Sequence, residues 1–185
     1  MKNTVLVATT LLLLAACKKE NVDVDGLVPA TQDGKNTGDF LLNGTPFSPR
    51  TRITTPGNKP VGAYWGHWSK PNGYVDISLF REDDDRRVRG LNIFISKIKK
   101  PGTYPMTDLA QPNSGERSYI IYEVPGVYPA IYKDYLTGPT SPGEVTITRF
   151  DTVARVVSGT FEARLREYNG PDSVRITKGR FDCSF

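Results

Sequence analysis

The chain has 185 residues, of which 24 are Lys or Arg and 20 are Asp or Glu, so its formal net charge is +4. This mild excess of cations is spread along the chain, without the clustered basic stripe and interleaved aromatics that nucleic-acid binding requires. Frequent Gly and Pro (17 and 14) and 10% aromatic residues exclude a disordered chain and favour many strands joined by tight turns.

The first 17 residues have the pattern of a lipoprotein signal peptide. Lys2 supplies a positive charge, residues 4–14 form an apolar run, and two alanines and Cys17 follow. We expect residues 1–16 to be removed and Cys17 to carry a diacylglycerol group that holds the protein on a membrane. The apolar run is about half of the ~20 residues that a membrane-spanning helix needs. The alternative is an ordinary signal peptide with a cysteine there by chance.

Residues 17–38 are polar, contain Gly and Pro, and show no hydrophobic periodicity. This composition predicts a flexible tether between the membrane and a β-rich domain at residues 39–185, with a root-mean-square reach of about 25 Å.

From residue 39 onward, short alternating runs are separated by turn residues. Asn43-Gly44 accepts the positive φ angles of a type I′ turn, so residues 40–47 are predicted to form a hairpin. About ten strands without an intervening helix predict an all-β fold, a single antiparallel β-sandwich or barrel. The predicted strands are 40–42, 45–47, 52–55, 61–65, 74–80, 88–98, 117–124, 127–135, 145–148, 157–166 and 173–185.

The last predicted strand changes its phase part-way along. Val174 and Ile176 are even-numbered, whereas Phe181 and Cys183 are odd-numbered. One extra residue restores the alternation, and Gly179 is the natural position for that β-bulge. Cys183 is then expected to point into the core. With Cys17 lipidated, it has no partner for an intramolecular disulfide.

The candidate ligand-binding residues are Trp65, His67, Trp68 and Tyr74, because aromatic faces with polar edges suit both sugar rings and protein partners. They belong to the run Tyr64-Trp65-Gly66-His67-Trp68 and the strand that follows it. Alternation places Trp65 and His67 opposite Tyr64 and Trp68, so at most half of this set faces one ligand. Packing of one pair in the core is the competing interpretation.

The sequence predicts neither a catalytic site nor a metal site, and no cofactor. His67 is the only histidine, and neither a C-x-x-C, an H-x-x-x-H nor a G-x-S-x-G spacing occurs. In residues 81–87, three arginines accompany four acidic residues. This run therefore predicts a charged hairpin tip in preference to a calcium site.

Three segments near the end, Ile147–Asp151, Val157–Phe161 and Ile176–Asp182, resemble the closing pattern of uncharacterised Bacteroidota lipoprotein domains, ITxFD, SGTF and ITxGxF. Residues 42–47 are similar to the opening hairpin of those domains. The resemblance covers residues 40–50 and 144–185. It implies a lipoprotein of the Gram-negative cell envelope and names no activity.

Two functional hypotheses follow. The first is an outer-membrane lipoprotein, anchored through Cys17, whose β-domain is a non-catalytic binding or scaffolding module for an envelope protein or other ligand. The second is a carbohydrate-binding or carbohydrate-processing surface lipoprotein that uses Trp65 or Trp68 as an aromatic platform. Which face of the membrane the domain occupies is left open by the sequence.

Overall fold

A computed structural model describes residues 23, 25–52, 59–69, 72–85, 87–108, 117–125 and 132–185, without the side chains of residues 68, 69 and 72. The predicted signal peptide, Cys17 and most of the strand predicted at 52–55 lie outside these residues. The strands are β1 Thr37–Leu42, β2 Thr45–Phe47, β3 Val61–Ser69, β4 Asn72–Glu82, β5 Val88–Ser96, β6 Gly102–Met106, β7 Tyr119–Pro125, β8 Tyr132–Leu136, β9 Gly143–Asp151, β10 Val156–Glu167 and β11 Ser173–Ser184.

The strands form one curled antiparallel sheet with the shape of a half-barrel, which confirms the predicted all-β class. The hydrogen-bonded order is β2-β1-β11-β10-β8-β7-β5-β4-β3, and β9 pairs with β10 and with β6. The curl brings β3 back into contact with β11 and β1. Within the described ranges, no helix is long and apolar enough to cross a membrane.

The core fills the inside of the curl with alternate side chains from the long strands. Ile77, Ile93, Ile120, Phe161 and Phe181 are each at most 2% exposed and belong to one cluster. Burying a side chain of this size contributes about 1.5–3 kcal/mol relative to leaving it exposed. One face of each strand is therefore apolar, and the other face is available for function.

The predicted β1–β2 hairpin is confirmed. Asn43 and Gly44 have φ angles of 50° and 82°, and Leu42 pairs with Thr45. The charged run at residues 81–87 lies at the β4–β5 turn, where Glu82 pairs with Val88. Strand β6, Gly102–Met106, is missing from the predicted strands, because Pro105 lies within this short run and proline is typical of turns and edge positions.

The β-bulge in β11 is present, but Gly179 is not its left-handed residue. Phe161 pairs with Gly179 and Ala163 pairs with Ile176, so β11 carries one extra residue between those two pairs. Lys178 takes the positive φ, 53°. Gly179 is needed for space instead, because a Cβ built there would lie 2.5 Å from the ring of Phe161.

The prediction of a flexible tether as far as residue 38 is wrong for its C-terminal part. Residues 25–36, which we call the N-terminal strap, lie along the outer face of β11, and Leu27 is fully buried. The backbone N–H of Val28 donates to Asp39 at 2.5 Å, and the Arg180 guanidinium donates to the Val28 carbonyl at 2.8 Å. Asn36 exchanges hydrogen bonds with Ser184. The strap is therefore part of the folded domain.

One buried carboxylate, that of Asp182, accepts four hydrogen bonds from the strap and a fifth from Ser158. Burial on its own raises the pKa of Asp182, but the hydrogen bonds that it accepts hold that pKa below its ordinary value. The ionised form is therefore the folded form at neutral pH. Its donors are the hydroxyl of Thr31 at 2.5 Å, the backbone N–H groups of Asp33, Gly34 and Lys35 at 3.0, 2.7 and 3.3 Å, and the hydroxyl of Ser158 at 2.7 Å.

We expect Gly179→Ala to lower the free energy of unfolding by about 1–3 kcal/mol, because the new methyl group would overlap the buried Phe161 ring. Gly62→Ala is the matched control, since the only atom near its Cβ is the Ser78 hydroxyl at 3.9 Å. Urea unfolding of both variants measures the difference. Equal stability of the two variants would contradict the assignment of Gly179 to close packing.

Cys183 is confirmed as an inward-pointing, fully buried thiol. Burial raises its pKa to about 12, so almost no thiolate forms at pH 8 and the thiol is shielded from reagents. In a Cys17→Ser chain we expect negligible thiol labelling in the native state and one label per chain in urea. Rapid stoichiometric labelling without urea would place this thiol on the surface.

Candidate functional site: a groove on the outer face of the sheet

The four predicted ligand-binding residues do not share one face. Trp65 and His67 lie on the inner side of β3, where the Trp65 ring packs against the core. Its centroid is 4.7 Å from that of His67 and 5.7 Å from that of Phe185. Tyr74 lies on the outer side of β4, opposite Gly66. The side chain of Trp68 lies outside the described residues.

Tyr74 belongs to an aromatic ladder that crosses four strands on the outer face. Its ring stacks on Phe94 at 5.1 Å, and Phe94 stacks on Tyr119 at 5.4 Å. Tyr64 meets Tyr74 at 6.0 Å with a 44° tilt. The stacked rings cover one another's faces, so only Tyr64, which is 62% exposed, keeps a large area open to a ligand. The rest of the ladder stabilises the pairing of the strands.

Beside the ladder, small residues open a groove across the outer face, which we call the outer groove. Gly62, Ser78 and Asn92 lie directly opposite one another on β3, β4 and β5. Two adjoining hollows, of about 670 and 320 Å³, share Ser78, Phe80 and Asn92 in their linings. The groove therefore runs from β3 to β8, and four strand spacings of about 4.8 Å give a length of roughly 19 Å.

Aromatic and apolar side chains form the ends and walls of the outer groove. Tyr64 lies at the β3 end, and Tyr132, 53% exposed, lies at the β8 end. Phe80 and Val88 stand between them, and Lys59 lies at the β3 end. Of the five large apolar side chains exposed in the described residues, Tyr64, Val88 and Tyr132 line this groove. The two rings thus lie at either end of a row of polar side chains, which we call the polar floor: Asp76, Ser78, Asn92 and Glu123.

The polar groups of the groove have no hydrogen-bond partner among the described side chains. Within the described part of the chain, no side-chain hydrogen bond involves Asp76, Ser78, Asn92 or Glu123. One carboxylate oxygen of Asp76 is buried and makes no hydrogen bond. Burial raises the pKa of Asp76 above its ordinary value. These groups are available to hydrogen-bond a ligand, and leaving them unpaired costs folding free energy.

A second acidic feature lies at the β8 end, where Glu123 is directly opposite Asp134. Burial, and then the charge of Asp134, raise the pKa of Glu123. Both carboxylates project from one sheet surface, whereas glycoside hydrolysis uses carboxylates that flank the scissile bond. The arrangement suits hydrogen bonding to a ligand better than acid–base attack on it.

Among the described residues, no group of three or more His, Cys, Asp or Glu side chains could hold a metal ion. Comparison of the chain with family models, with curated proteins and with solved structures finds no match. The case for this site therefore rests on its geometry.

Sequence reasoning placed one residue of this region, Tyr74, in the candidate set and missed the groove itself. The sequence does contain a pattern that indicates an outer face here. Gly62 and Tyr64 alternate with inward residues on β3, as Asp76 and Ser78 do on β4. This alternation does not show the groove without the strand register, because Gly62 and Asn92, which lie on either side of Ser78, are 30 positions apart in the chain.

We expect Asp76→Asn to stabilise the fold at pH 7 by about 1 kcal/mol, because it removes a desolvated charge without a partner. Because the pKa of Asp76 is raised in the folded state, the protonated carboxyl favours the fold. The stability that protonated Asp76 gives the parent protein is present at low pH and is lost as the pH rises through that pKa. The gain of Asp76→Asn should therefore grow from acid to neutral pH. Urea unfolding as a function of pH measures it.

The control for this comparison is Asp33→Asn, which removes a carboxylate that is 65% exposed and paired with Lys35. Exposed ion pairs contribute little, so this change should stay within about 0.5 kcal/mol. Destabilisation by Asp76→Asn at pH 7 would show that the carboxylate has a stabilising partner.

Proposed function

We propose that this protein is an outer-membrane lipoprotein, anchored through Cys17, whose β-domain is a non-catalytic binding module. The signal pattern that ends at Cys17 supports the anchor. The outer groove supports binding, because it joins exposed rings to polar groups that have no internal partner.

One observation carries the binding proposal: the unpaired polar floor between Tyr64 and Tyr132. Binding sites combine apolar walls with a few fixed polar groups that set the orientation of a ligand. Here the polar groups stand on paired strands, so a ligand meets them already ordered and little conformational entropy is lost on binding. Polar groups of this kind hydrogen-bond to water when no ligand is bound. A ligand that makes the same hydrogen bonds displaces that water without losing affinity.

A carbohydrate is the ligand class that this combination favours. Sugar rings present an apolar face to an aromatic ring and hydroxyl donors at their edges. Asp76 and Glu123 supply acceptors, and Ser78 and Asn92 supply both donors and acceptors. This proposal transfers the aromatic role from Trp65, which packs against the core, to Tyr64 and Tyr132.

The anchor is tested by fractionating cells that express the full chain and its Cys17→Ser variant. We expect the parent protein in the membrane fraction, with mass spectrometry detecting acylated Cys17. The variant should appear as unprocessed precursor or as protein released from the membrane. A variant that is retained and processed like the parent would overturn lipid anchoring through Cys17.

Binding is tested by isothermal titration of a glycan panel into the mature Cys17→Ser chain. Tyr64→Ala and Asn92→Ala should each weaken binding of a recognised glycan by about tenfold or more, the effect of a contact worth 1–3 kcal/mol. Tyr168→Ala is the matched control, because Tyr168 is equally exposed, at 62%, and lies outside the groove. Absence of binding across the panel, or equal losses in all three variants, would overturn the carbohydrate assignment.

A further inference from the structure

Three arginines on the outer face of β10 and β11 form no ion pair with any acidic residue that the structure describes. Arg164 lies directly opposite Arg175, and Arg166 follows two positions later on the same side of β10. All three are exposed. Within the ranges that the structure describes, none of them forms an ion pair. Like charges directly opposite each other destabilise a strand pair, so this arrangement favours an anionic partner.

An exposed aromatic residue continues the same side of β10. Tyr168 stands two positions beyond Arg166, just past the end of the strand, and is 62% exposed. Tyrosine is favoured where an apolar body meets a polar headgroup layer. We call Arg164, Arg166, Arg175 and Tyr168 the arginine face. Two exposed acids, Glu144 and Glu162, adjoin it and share with Arg164 and Arg175 a hollow of about 770 Å³.

The N-terminal strap brings the chain to this same side of the molecule. Asp25 pairs with Lys178 at 2.8 Å, and Asp23 pairs with Arg180 at 2.5 Å. Lys178 is three residues from Arg175 along β11, or roughly 10 Å. Asp23, the first described residue, lies at Arg180, five residues or roughly 17 Å from Arg175 along β11, so the chain leaves the folded domain on the strand that carries Arg175.

The length of chain that remains limits how far the domain can stand from a membrane. Six residue steps separate Asp23 from Cys17, which is at most about 21 Å of fully extended chain. A lipid on Cys17 thus keeps β11 close to the headgroups, and the side of the domain nearest the lipid is the one with unpaired cations.

From this juxtaposition we propose that the arginine face lies against the anionic phospholipid headgroups of the membrane that holds Cys17. This proposal rests on the proposed lipid anchor, which places the arginine face near a membrane. Charge complementarity then identifies anionic headgroups as the partner of this face. The middle of the outer groove, on β4, β5 and β7, then lies around the curl of the sheet from the arginine face, whereas its β8 end adjoins β10.

The test uses the mature chain with Cys17→Ser, so that no lipid contributes to binding. Its partition onto vesicles of phosphatidylglycerol in phosphatidylcholine is compared with its partition onto phosphatidylcholine alone. We expect binding to the anionic vesicles only, weakening as salt is raised. The double variant R164Q/R175Q should lower the partition coefficient by about 30-fold, the effect of removing two cations near an anionic surface.

The matched control is K99Q/K100Q, which removes the same charge from two exposed lysines in the β5–β6 loop. It should leave at least half of the binding. Equal losses in the two double variants, or equal binding to both vesicle types, would overturn the proposal. Because this protein carries no lipid, failure of the anchor in the fractionation experiment does not alter the outcome.

A second measurement uses the lipidated full chain in proteoliposomes. Phenylglyoxal should modify Arg164, Arg166 and Arg175 more slowly there than in detergent, as read by mass spectrometry. Arg87, whose side chain is 63% exposed at the β4–β5 turn and lies outside the arginine face, should react equally in both. Equal rates at all four arginines would contradict the orientation.

Discussion

The hydrogen bonds accepted by the Asp182 carboxylate hold the N-terminal strap against β11. A carboxylate that is 1% exposed is costly unless donors surround it. Four of its five donors belong to residues 31–35 and the fifth is the Ser158 hydroxyl of the neighbouring strand. The chain before β1 is therefore required to lie on β11, and the folded domain begins well before the first strand.

This constraint gives the half-barrel two different sides. On one side the strap covers Asp182, Asp39 and part of Arg180, and polar groups of the outer face find partners there. On the other side no described segment covers β3, β4 and β5, and a buried carboxylate oxygen of Asp76 has no hydrogen-bond partner among the described residues. The contrast explains why the outer groove is the candidate binding site: the fold satisfies its polar groups where it has a second layer and leaves them open where it has none.

The sequence predicted what depends on local alternation. The β10 strand, the β1–β2 hairpin and the inward direction of Cys183 all follow from period-two patterns and turn residues, and each is present. The sequence predicts the bulge at Gly179, whereas Lys178 takes the positive φ and Gly179 makes room for Phe161.

What depends on distant pairs could not be predicted in the same way. The strap has one buried apolar residue, Leu27, and three of its backbone amides donate to a carboxylate 147–149 residues away. Every residue except proline has a backbone N–H, so residue types do not show which amides donate to a distant carboxylate. The sequence therefore predicts a tether for this segment. The outer groove likewise needs the strand register before Gly62 and Asn92 can be seen to adjoin.

Hydrogen–deuterium exchange of the mature Cys17→Ser chain tests most directly whether the strap is part of the fold. The amides of Asp33, Gly34 and Lys35, which donate to Asp182, should be protected in the parent protein. They should lose that protection in Asp182→Asn while the amides of β10 keep theirs. Exchange of these three amides at the rate of an unstructured peptide in the parent protein would contradict the account, because the strap would then be a tether after all.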